Sequence, residues 1–218
     1  MFIQAILRKD VTTLRAYAAL CVENMHRRIR GFGSGISTYS LVQGRAFGGG
    51  FECALASETI IAERSAVFSL PEILFNMIPG MGAISLLGRR IGLSKAQEVV
   101  MSGLTFTAKE MRELGVVDEV VDDGTGDQSV RRIIATRARR ANSYRAMSAA
   151  KRCFLPVDLE EMRRIVEIWV DAALRLETRD LRMMARLVRA QDRMMALTED
   201  ETILNNLFGD HVTAVGSG

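Results

Sequence analysis

The chain has 218 residues, of which 48% are hydrophobic and 25% charged, so it can bury the core of one domain, or of one domain with a helical appendage. Its net charge of +3 is too small to indicate nucleic-acid binding, and two histidines are too few to predict a histidine-based triad or a zinc site. We expect no membrane span and no signal peptide, because no apolar run approaches about 20 residues. Three cysteines in apolar helical contexts, Cys21, Cys53 and Cys153, predict reduced core residues in a cytoplasmic protein.

The first predicted elements are a helix and a strand. Asp10 can cap a helix from Val11 to about Arg28, since apolar side chains recur there at helical spacing. Glycines between residues 31 and 35 end this helix. The apolar run Ile36–Val42 predicts a strand, and the segment Phe51–Ser57, rich in alanine and leucine, predicts the next helix.

Between this strand and this helix stand three consecutive glycines, Gly48, Gly49 and Gly50. A chain carries such a run where the backbone must approach another group closely or adopt a positive φ angle. At the start of a helix, free N–H groups and the helix dipole favour a negative charge. The loop is therefore predicted either to bind a phosphate or a developing oxyanion, or to form a plain tight turn. It matches neither the Walker A loop nor the G-x-G-x-x-G motif.

Two glutamates in apolar surroundings, Glu52 and Glu72, are the candidate catalytic groups. Glu52 follows the glycine loop, and Glu72 follows two predicted strands, Thr59–Ala62 and Ala66–Leu70. Apolar surroundings predict raised pKa values and proton exchange near neutral pH. The alternatives are a solvated glutamate at a helix start and a capping or ion-paired glutamate. A carboxyl pair beside an anion-stabilising loop is the pattern that general acid–base catalysis requires.

A second loop with a permissive backbone, Pro79–Gly82, either forms a plain turn or lines the path of a substrate. Capping-box patterns then predict two further helix starts. The elements predicted after this loop are, in order, a helix to about Arg90, a helix from Ser94 to about Ser102, a helix from Thr107 to Gly115, a strand Val116–Val121 and a polar loop Asp122–Gln128.

From Ser129 onward the pattern is helical. The long segment Leu159–Met195 carries one apolar run at helical spacing from Leu159 to Leu176 and a second from Leu181 to Val188. Its methionines predict packing between subunits, and the pattern alone predicts Trp169 as a core residue. Arginines crowd the start of this region and form either a solvated face or a docking surface for an acidic partner. They are Arg131, Arg132, Arg137, Arg139, Arg140 and Arg145.

Three segments, Gly48–Glu52, Pro71–Ile73 and Ile78–Ala83, resemble motifs of the crotonase (enoyl-CoA hydratase/isomerase) superfamily. The resemblance extends over nearly the whole chain, roughly residues 2–194. Within the superfamily the chain is most similar to the diffusible-signal-factor synthases of bacterial quorum sensing. The segments that carry this finer likeness are Gly50–Glu52, Thr59–Arg64, Leu70–Phe75, Glu167–Asp171 and Leu187–Gln191.

The resemblance implies an α/β fold. A partial spiral of ββα units is expected over residues 1–128, and a helical region over residues 129–218 is expected to cover the pocket and to join subunits into a trimer or a dimer of trimers. The resemblance also implies that the N-terminal third of the family fold is missing, either because the start is misplaced or because the chain is a degenerate fragment. Such a chain is expected to hold at most half of the oxyanion hole, and its open sheet edge predicts poor folding.

The implied activity is dehydration of a 3-hydroxyacyl thioester, carried by CoA or by acyl carrier protein. Hydrolysis of the thioester then gives a cis-2-unsaturated fatty acid signal. Glu52 and Glu72 would share the acid and base roles, in an order that the sequence leaves open, and the Gly49 N–H would bind the thioester oxygen. No metal and no cofactor beyond the thioester carrier are implied, and a sensor protein is a candidate partner. The residues expected to contact the substrate are Phe47, Gly48, Met81 and Trp169.

Two other functions fit the same residues. One is an ordinary enoyl-CoA hydratase or isomerase, which would hydrate a trans-enoyl-CoA reversibly. The other is an inactive subunit that assembles with intact crotonases or binds a sensor protein. Formation of mixed oligomers, together with unchanged activity of Glu52→Gln and Glu72→Gln variants, would favour the inactive subunit.

Overall fold

The computed structural model describes residues 2–190. Backbone contacts divide the chain into two compact units, the first up to Leu176 and the second from Glu177 on. In the second unit, the described part forms one helix over residues 178–190. The helices of the first unit are α1 (Phe2–Leu7), α2 (Val11–Ile29), α3 (Gly49–Leu55), α4 (Ala83–Ile91), α5 (Leu93–Ser102), α6 (Ala108–Glu113), α7 (Gly126–Ala138), α8 (Ala141–Phe154) and α9 (Leu159–Leu174). Its strands are β1 (Tyr39–Val42), β2 (Arg45–Phe47), β3 (Thr59–Glu63), β4 (Val67–Ser69), β5 (Thr105–Thr107) and β6 (Glu119–Val121).

The strands form two three-stranded sheets. In the first sheet β3 lies between β1 and β6 and is parallel to both, with Tyr39 opposite Thr59 and Val42 opposite Ala62. In the second sheet β4 pairs in parallel with β2 and antiparallel with β5. All five residues of β3 are buried, as expected for the central strand of a parallel sheet.

The hydrophobic core lies where these strands meet α3, α4, α5 and α6. Phe51 of α3 and Phe68 of β4 are fully buried and pack edge to face, with ring centroids 5.1 Å apart. Because Phe51 precedes Glu52 directly, this contact anchors the first turn of α3 on the second sheet.

Two of the three predicted helix caps are confirmed. The Asp10 side chain accepts a hydrogen bond from the Thr13 N–H at 3.0 Å, and Thr107 forms the predicted capping box at the start of α6. The cap predicted at Ser94 is wrong. Helix α5 begins one residue earlier, at Leu93, after a glycine whose φ angle is 81°.

The predicted strands are present but mostly shorter. Only β1 forms within Ile36–Val42, and the Ile36 side chain is exposed. Only β6 forms within Val116–Val121, and the helix that follows begins inside the predicted polar loop, at Gly126. Strands β2 and β5 were not predicted because, unlike the equally short β4 and β6, they do not lie within a longer apolar run.

The two helical runs predicted within the long segment Leu159–Met195 form two helices. Helix α9 ends at Leu174, and a separate helix occupies 178–190. Residues 191–195 lie outside the described part of the chain. Helix α9 packs against α2, and an ion pair between Arg15 and Glu167 at 2.8 Å joins the two.

The structure separates the members of the arginine cluster. Arg137 is half-buried, donates a hydrogen bond to the Thr59 hydroxyl at 2.7 Å, and lies over the Tyr39 ring. Arg132 forms an ion pair with Glu119. These two arginines therefore hold α7 on the first sheet. The other members of the cluster are exposed; they are Arg131, Arg139, Arg140 and Arg145.

The cysteine prediction is only partly correct. Cys21 and Cys53 are half-buried, whereas Cys153 near the end of α8 is exposed, and all three are free thiols. Among residues 2–190, no helix combines the length and apolar character needed to cross a bilayer. The domain boundary predicted at residue 128 stays a prediction.

Candidate active site

The glycine loop forms a tight turn that starts α3. Gly48 has φ 50° and ψ −123°, a conformation that side-chain-bearing residues avoid, and its N–H donates to the Ser69 carbonyl at 2.9 Å. Helix α3 begins at Gly49, two residues earlier than predicted, so Gly49 and Gly50 lie in its first turn. The N–H groups of a first turn have no acceptor within the helix. They are therefore available to a negatively charged oxygen.

Glu52 is held in place by the second loop. Its side chain is 2% exposed, and its Oε1 accepts hydrogen bonds from the Met81 N–H at 2.8 Å and the Ala83 N–H at 3.0 Å. Burial, followed by the negative charge of Glu72, raises the pKa of Glu52 to about 8, and the donated amides only partly offset this. The loop Pro79–Gly82 is therefore not a plain turn, because it fixes a carboxyl group that stays protonated at neutral pH.

Glu72 lies in a short 3₁₀ helix, Pro71–Phe75, with the proline at its first turn. Its Oε2 is buried and has no hydrogen-bond partner within the described residues. Burial raises the pKa of Glu72 to about 7. An unpartnered buried carboxylate oxygen is costly, so its presence indicates a site that a ligand or water completes.

The two glutamates open into one cavity of about 130 Å³. Its walls are mostly apolar, and Trp169 of α9 closes one side, stacked on the Phe2 ring at 5.1 Å between centroids. Gly80 permits this arrangement, because a Cβ there would lie 2.6 Å from Trp169 Cδ1. The lining residues are Phe2, Tyr17, Ala18, Gly49, Glu52, Glu72, Phe75, Met77, Gly80, Met81 and Trp169.

Most of the predicted site residues meet at this cavity. Gly49, Met81 and Trp169 line it together with the two glutamates. Gly48 lies against Glu72, since a Cβ at Gly48 would stand 2.9 Å from Glu72 Oε1. Phe47 is the one predicted site residue that lies away from the cavity. Phe47 is not among the lining residues, because β2 holds it in the sheet opposite Ser69.

Tyr17 is a site residue that the sequence analysis did not single out. It lines the cavity from α2, and burial raises its pKa, with the Cys21 thiol and the Glu52 carboxyl adding to the effect. The available signal was the apolar stripe on α2, which contains Tyr17 and Cys21 at helical spacing. Such a stripe indicates a packed face without showing that part of the face borders a cavity.

Burial of Glu72 predicts a specific dependence of stability on pH. The carboxyl is protonated in both states below its ordinary pKa of 4.5, so the wild type and Glu72→Gln should differ little in pH response there. Between pH 4.5 and about 7 the unfolded chain ionises while the folded chain keeps its proton, which favours unfolding. Relative to Glu72→Gln, the wild type should therefore lose about 3 kcal/mol of unfolding free energy across this range. Urea denaturation at several pH values measures the difference, and a constant difference would contradict the burial of an ionisable Glu72.

Comparison with known families agrees with this geometry. The profile of the enoyl-CoA hydratase/isomerase family matches residues 20–193. The chain belongs to the enoyl-CoA hydratase/isomerase family. The matched range contains both glutamates, the glycine loop and Trp169, so the whole cavity apart from Phe2, Tyr17 and Ala18 is built from residues of the family domain.

The curated and solved proteins that the chain resembles include several hydratases. The chain is 41% identical over 83 residues to a mevalonyl-coenzyme A hydratase of Beauveria bassiana, a match that covers 38% of this chain and 30% of that protein. A crystal structure of carnitinyl-CoA hydratase from Mycobacterium avium has a TM-score of 0.60 and 28% identity, covering 72% of this chain and 61% of that one. An enoyl-CoA hydratase from Bacillus halodurans, at 24% identity and a TM-score of 0.62, shares the fold, covering 85% of this chain and 73% of that one. The predicted α/β crotonase-like fold is thereby confirmed, and the trimer stays a prediction.

The chain matches only part of these family members. The aligned stretch spans about a third of the length of the curated relative and 61% of the carnitinyl-CoA hydratase chain.

Proposed function

We propose that the chain adds water to, or removes water from, the C2–C3 bond of an acyl thioester carried by CoA or by acyl carrier protein. The observation that carries the proposal is the pair of buried carboxyl groups, Glu52 and Glu72, in one apolar cavity beside the first turn of α3. Elimination of water needs one group that takes a weakly acidic proton and another that protonates a hydroxyl. Neighbouring carboxyl groups with separated pKa values meet both needs.

The two pKa values support a division of roles. Glu72 loses its proton first, at about pH 7, and Glu52 keeps its proton until about pH 8. In dehydration, ionised Glu72 takes the proton from C2, and the electrons of that C–H bond form the C2=C3 double bond. The C3–O bond breaks, and protonated Glu52 gives its proton to the departing hydroxyl, which leaves as water. Exchange with solvent restores both groups, and hydration is the reverse.

The first turn of α3 supplies a hydrogen-bond donor for the thioester oxygen. Proton removal from C2 places negative charge on the thioester oxygen. Gly49 lines the cavity, and in this proposal its N–H donates to that oxygen. A preorganised donor of this kind is worth about 3–4 kcal/mol of transition-state stabilisation. No cofactor beyond the thioester carrier takes part in these steps.

The proposal is tested by direct assay of both directions. Purified protein is incubated with trans-2-enoyl-CoA, with 3-hydroxyacyl-CoA and with the corresponding carrier-protein thioesters, and products are identified by mass spectrometry. We expect interconversion of enoyl and 3-hydroxyacyl thioesters. Absence of turnover with all of these substrates, from a folded protein, would overturn the proposal and would favour the inactive assembly subunit.

A finer activity rests on Trp169. In the signal synthases that the sequence resembles, the matching tryptophan lines the acyl pocket, and here Trp169 lines the glutamate cavity. For such a synthase, water would then add to the thioester carbonyl and the C–S bond would break, releasing a free cis-2-enoic acid and a thiol. Release of this acid from a 3-hydroxyacyl thioester supports the synthase. Reversible formation of a trans-enoyl thioester without acid release assigns an ordinary hydratase.

The proposed partners follow from this activity. An acidic carrier such as acyl carrier protein suits the exposed arginines on α7 and α8, Arg131, Arg139, Arg140 and Arg145. A homotrimer or a dimer of trimers would match the family, and light scattering measures it. A sensor protein stays a candidate partner for the synthase activity alone.

The separated pKa values predict a narrow pH optimum for dehydration. The value of kcat/KM should rise up to about pH 7 as Glu72 ionises and should fall above about pH 8 as Glu52 loses its proton. Because the two glutamates interact, the two pKa values read from the pH–rate profile are apparent values of the pair. A rate that keeps rising beyond pH 9 would show that no protonated glutamate is needed.

A further inference from the structure

A second and larger cavity lies at the other end of α3. Its volume is about 340 Å³, within the range of small-molecule sites, and it has no lining residue in common with the glutamate cavity. The glutamate cavity borders the first turn of α3, whereas this cavity borders Leu55, Ala56 and Ser57, where α3 ends. It is enclosed by the end of α2, the segment before β1, and helices α4 and α8.

Three buried apolar residues form the floor of the second cavity, beside the buried polar residues Thr38, Ser57 and Ser148, and the rim exposes apolar side chains. Leu55, Ala56 and Leu86 are buried in the floor. At the rim, Ile36 is 55% exposed and Leu155 is 43% exposed. Exposed apolar side chains around a concave, apolar floor indicate a surface that another apolar group covers.

Two cations on the wall of the second cavity, Lys151 and Arg152, have no carboxylate partner among the described residues. Of the other charged groups of the wall, Arg89 pairs with Glu161 at 2.6 Å and Arg90 pairs with Asp118 at 3.5 Å, whereas Glu58 accepts a hydrogen bond from the neutral Ser148 hydroxyl and keeps its negative charge. The side chains of Lys151 and Arg152, in the last turn of α8, form no hydrogen bond or ion pair within residues 2–190.

The position of these two cations matters for their interpretation. A cation in a last helical turn is common because it offsets the helix dipole. Here, however, both Lys151 and Arg152 border a cavity whose floor is apolar, and the Arg152 guanidinium lies near Gly35 at the mouth. With the two ion pairs counted as neutral, Lys151, Arg152 and the Glu58 carboxylate leave the wall with a net charge of about +1.

We infer that the second cavity binds a small anionic amphiphile, with a carboxylate or phosphate head group between Lys151 and Arg152 and an apolar body over Leu55 and Leu86. The head group would complete two charge-assisted hydrogen bonds, and the body would remove the exposed apolar rim from water. The inference is independent of the proposed function, because the two cavities are built from different residues.

Calorimetric titration of the full chain with decanoate, decyl phosphate and inorganic phosphate tests the inference. We expect saturable binding of at least one amphiphile, and much weaker binding of inorganic phosphate. The tighter of the two amphiphiles identifies the head group as a carboxylate or a phosphate. Equal binding of inorganic phosphate and decyl phosphate would overturn the inference, because the apolar floor would then contribute nothing.

Three variants locate the binding site. The double variant Lys151→Gln/Arg152→Gln should bind the amphiphile at least about tenfold more weakly, since each charge-assisted hydrogen bond contributes strongly. Ile36→Glu, which puts a negative charge at the exposed rim, should weaken binding similarly. Arg145→Gln, which changes the net charge by the same single unit as Ile36→Glu but on the exposed part of α8, should leave binding unchanged. Unaltered affinity in the first two variants, with wild-type thermal stability, would place the amphiphile elsewhere and refute the assignment.

Discussion

Glu72→Gln should lower kcat by at least about 100-fold while the thermal stability of the protein is retained or increased. The kinetic loss follows because glutamine cannot take the proton from C2. Stability is expected to be preserved because Glu72 Oε2 has no hydrogen-bond partner to lose within the described residues. Glu52→Gln should give a loss of similar size, and its amide oxygen can still accept the bonds from Met81 and Ala83. Steady-state kinetics and Tm, measured together, separate chemistry from folding.

The matched control for both substitutions is Glu98→Gln. Glu98 is exposed on α5 and pairs with Lys95 at the surface, where an ion pair contributes at most about 1 kcal/mol. Its removal should leave kcat within about twofold of wild type. Near-normal turnover in either Glu52→Gln or Glu72→Gln would remove the glutamate pair from the mechanism.

The second large effect is expected from Gly48→Ala. An added Cβ meets two obstacles, a backbone with φ 50° and ψ −123°, and the Glu72 Oε1 atom at 2.9 Å. The strained backbone should reduce the unfolding free energy by about 1–3 kcal/mol. Displacement of Glu72 should reduce kcat by about 100-fold, because small misplacements of a reacting group are costly. Denaturant unfolding and steady-state kinetics measure the two consequences.

The neighbouring glycine provides the control. Gly50 lies in the first turn of α3 with a negative φ angle, and nothing lies within 4 Å of the place its Cβ would take. Gly50→Ala should therefore stabilise the protein by about 0.5–1 kcal/mol, since alanine is the better helix former. If Gly48→Ala proved as stable and as active as Gly50→Ala, the turn geometry assigned to Gly48 would be wrong.

Two helix caps could be predicted from the sequence because the capping hydrogen bonds join residues close together in the chain. The Asp10 cap and the Thr107 capping box depend on residues three positions away, and both were predicted. The cap at Ser94 was wrong because a glycine outside the pattern, with positive φ, starts α5 earlier. The exposure of Cys153 depends on which face of α8 is packed, and its immediate neighbours do not reveal that.

The candidate site required contacts between distant segments. The residue types at Glu52 and Glu72 indicated acid–base chemistry, but the amides that hold Glu52 come from Met81 and Ala83. Tyr17 reaches the cavity only because α2 packs beside it. Phe47 was predicted there from its closeness in sequence to the glycines, yet strand pairing keeps it in the sheet. The residue types thus indicated the chemistry, whereas the residues that line the cavity depend on contacts between distant segments.

The chain contains one tryptophan, Trp169, whose ring is 9% exposed and stacks on Phe2 above the glutamates. Tryptophan fluorescence therefore originates from a single place, the wall of the glutamate cavity. Entry of an acyl group should change the polarity around the indole and shift its emission, so that substrate occupancy can be followed optically without any added label. The same signal should stay silent when a molecule occupies only the pocket beside α8, which makes it an intrinsic means of telling the two chambers apart.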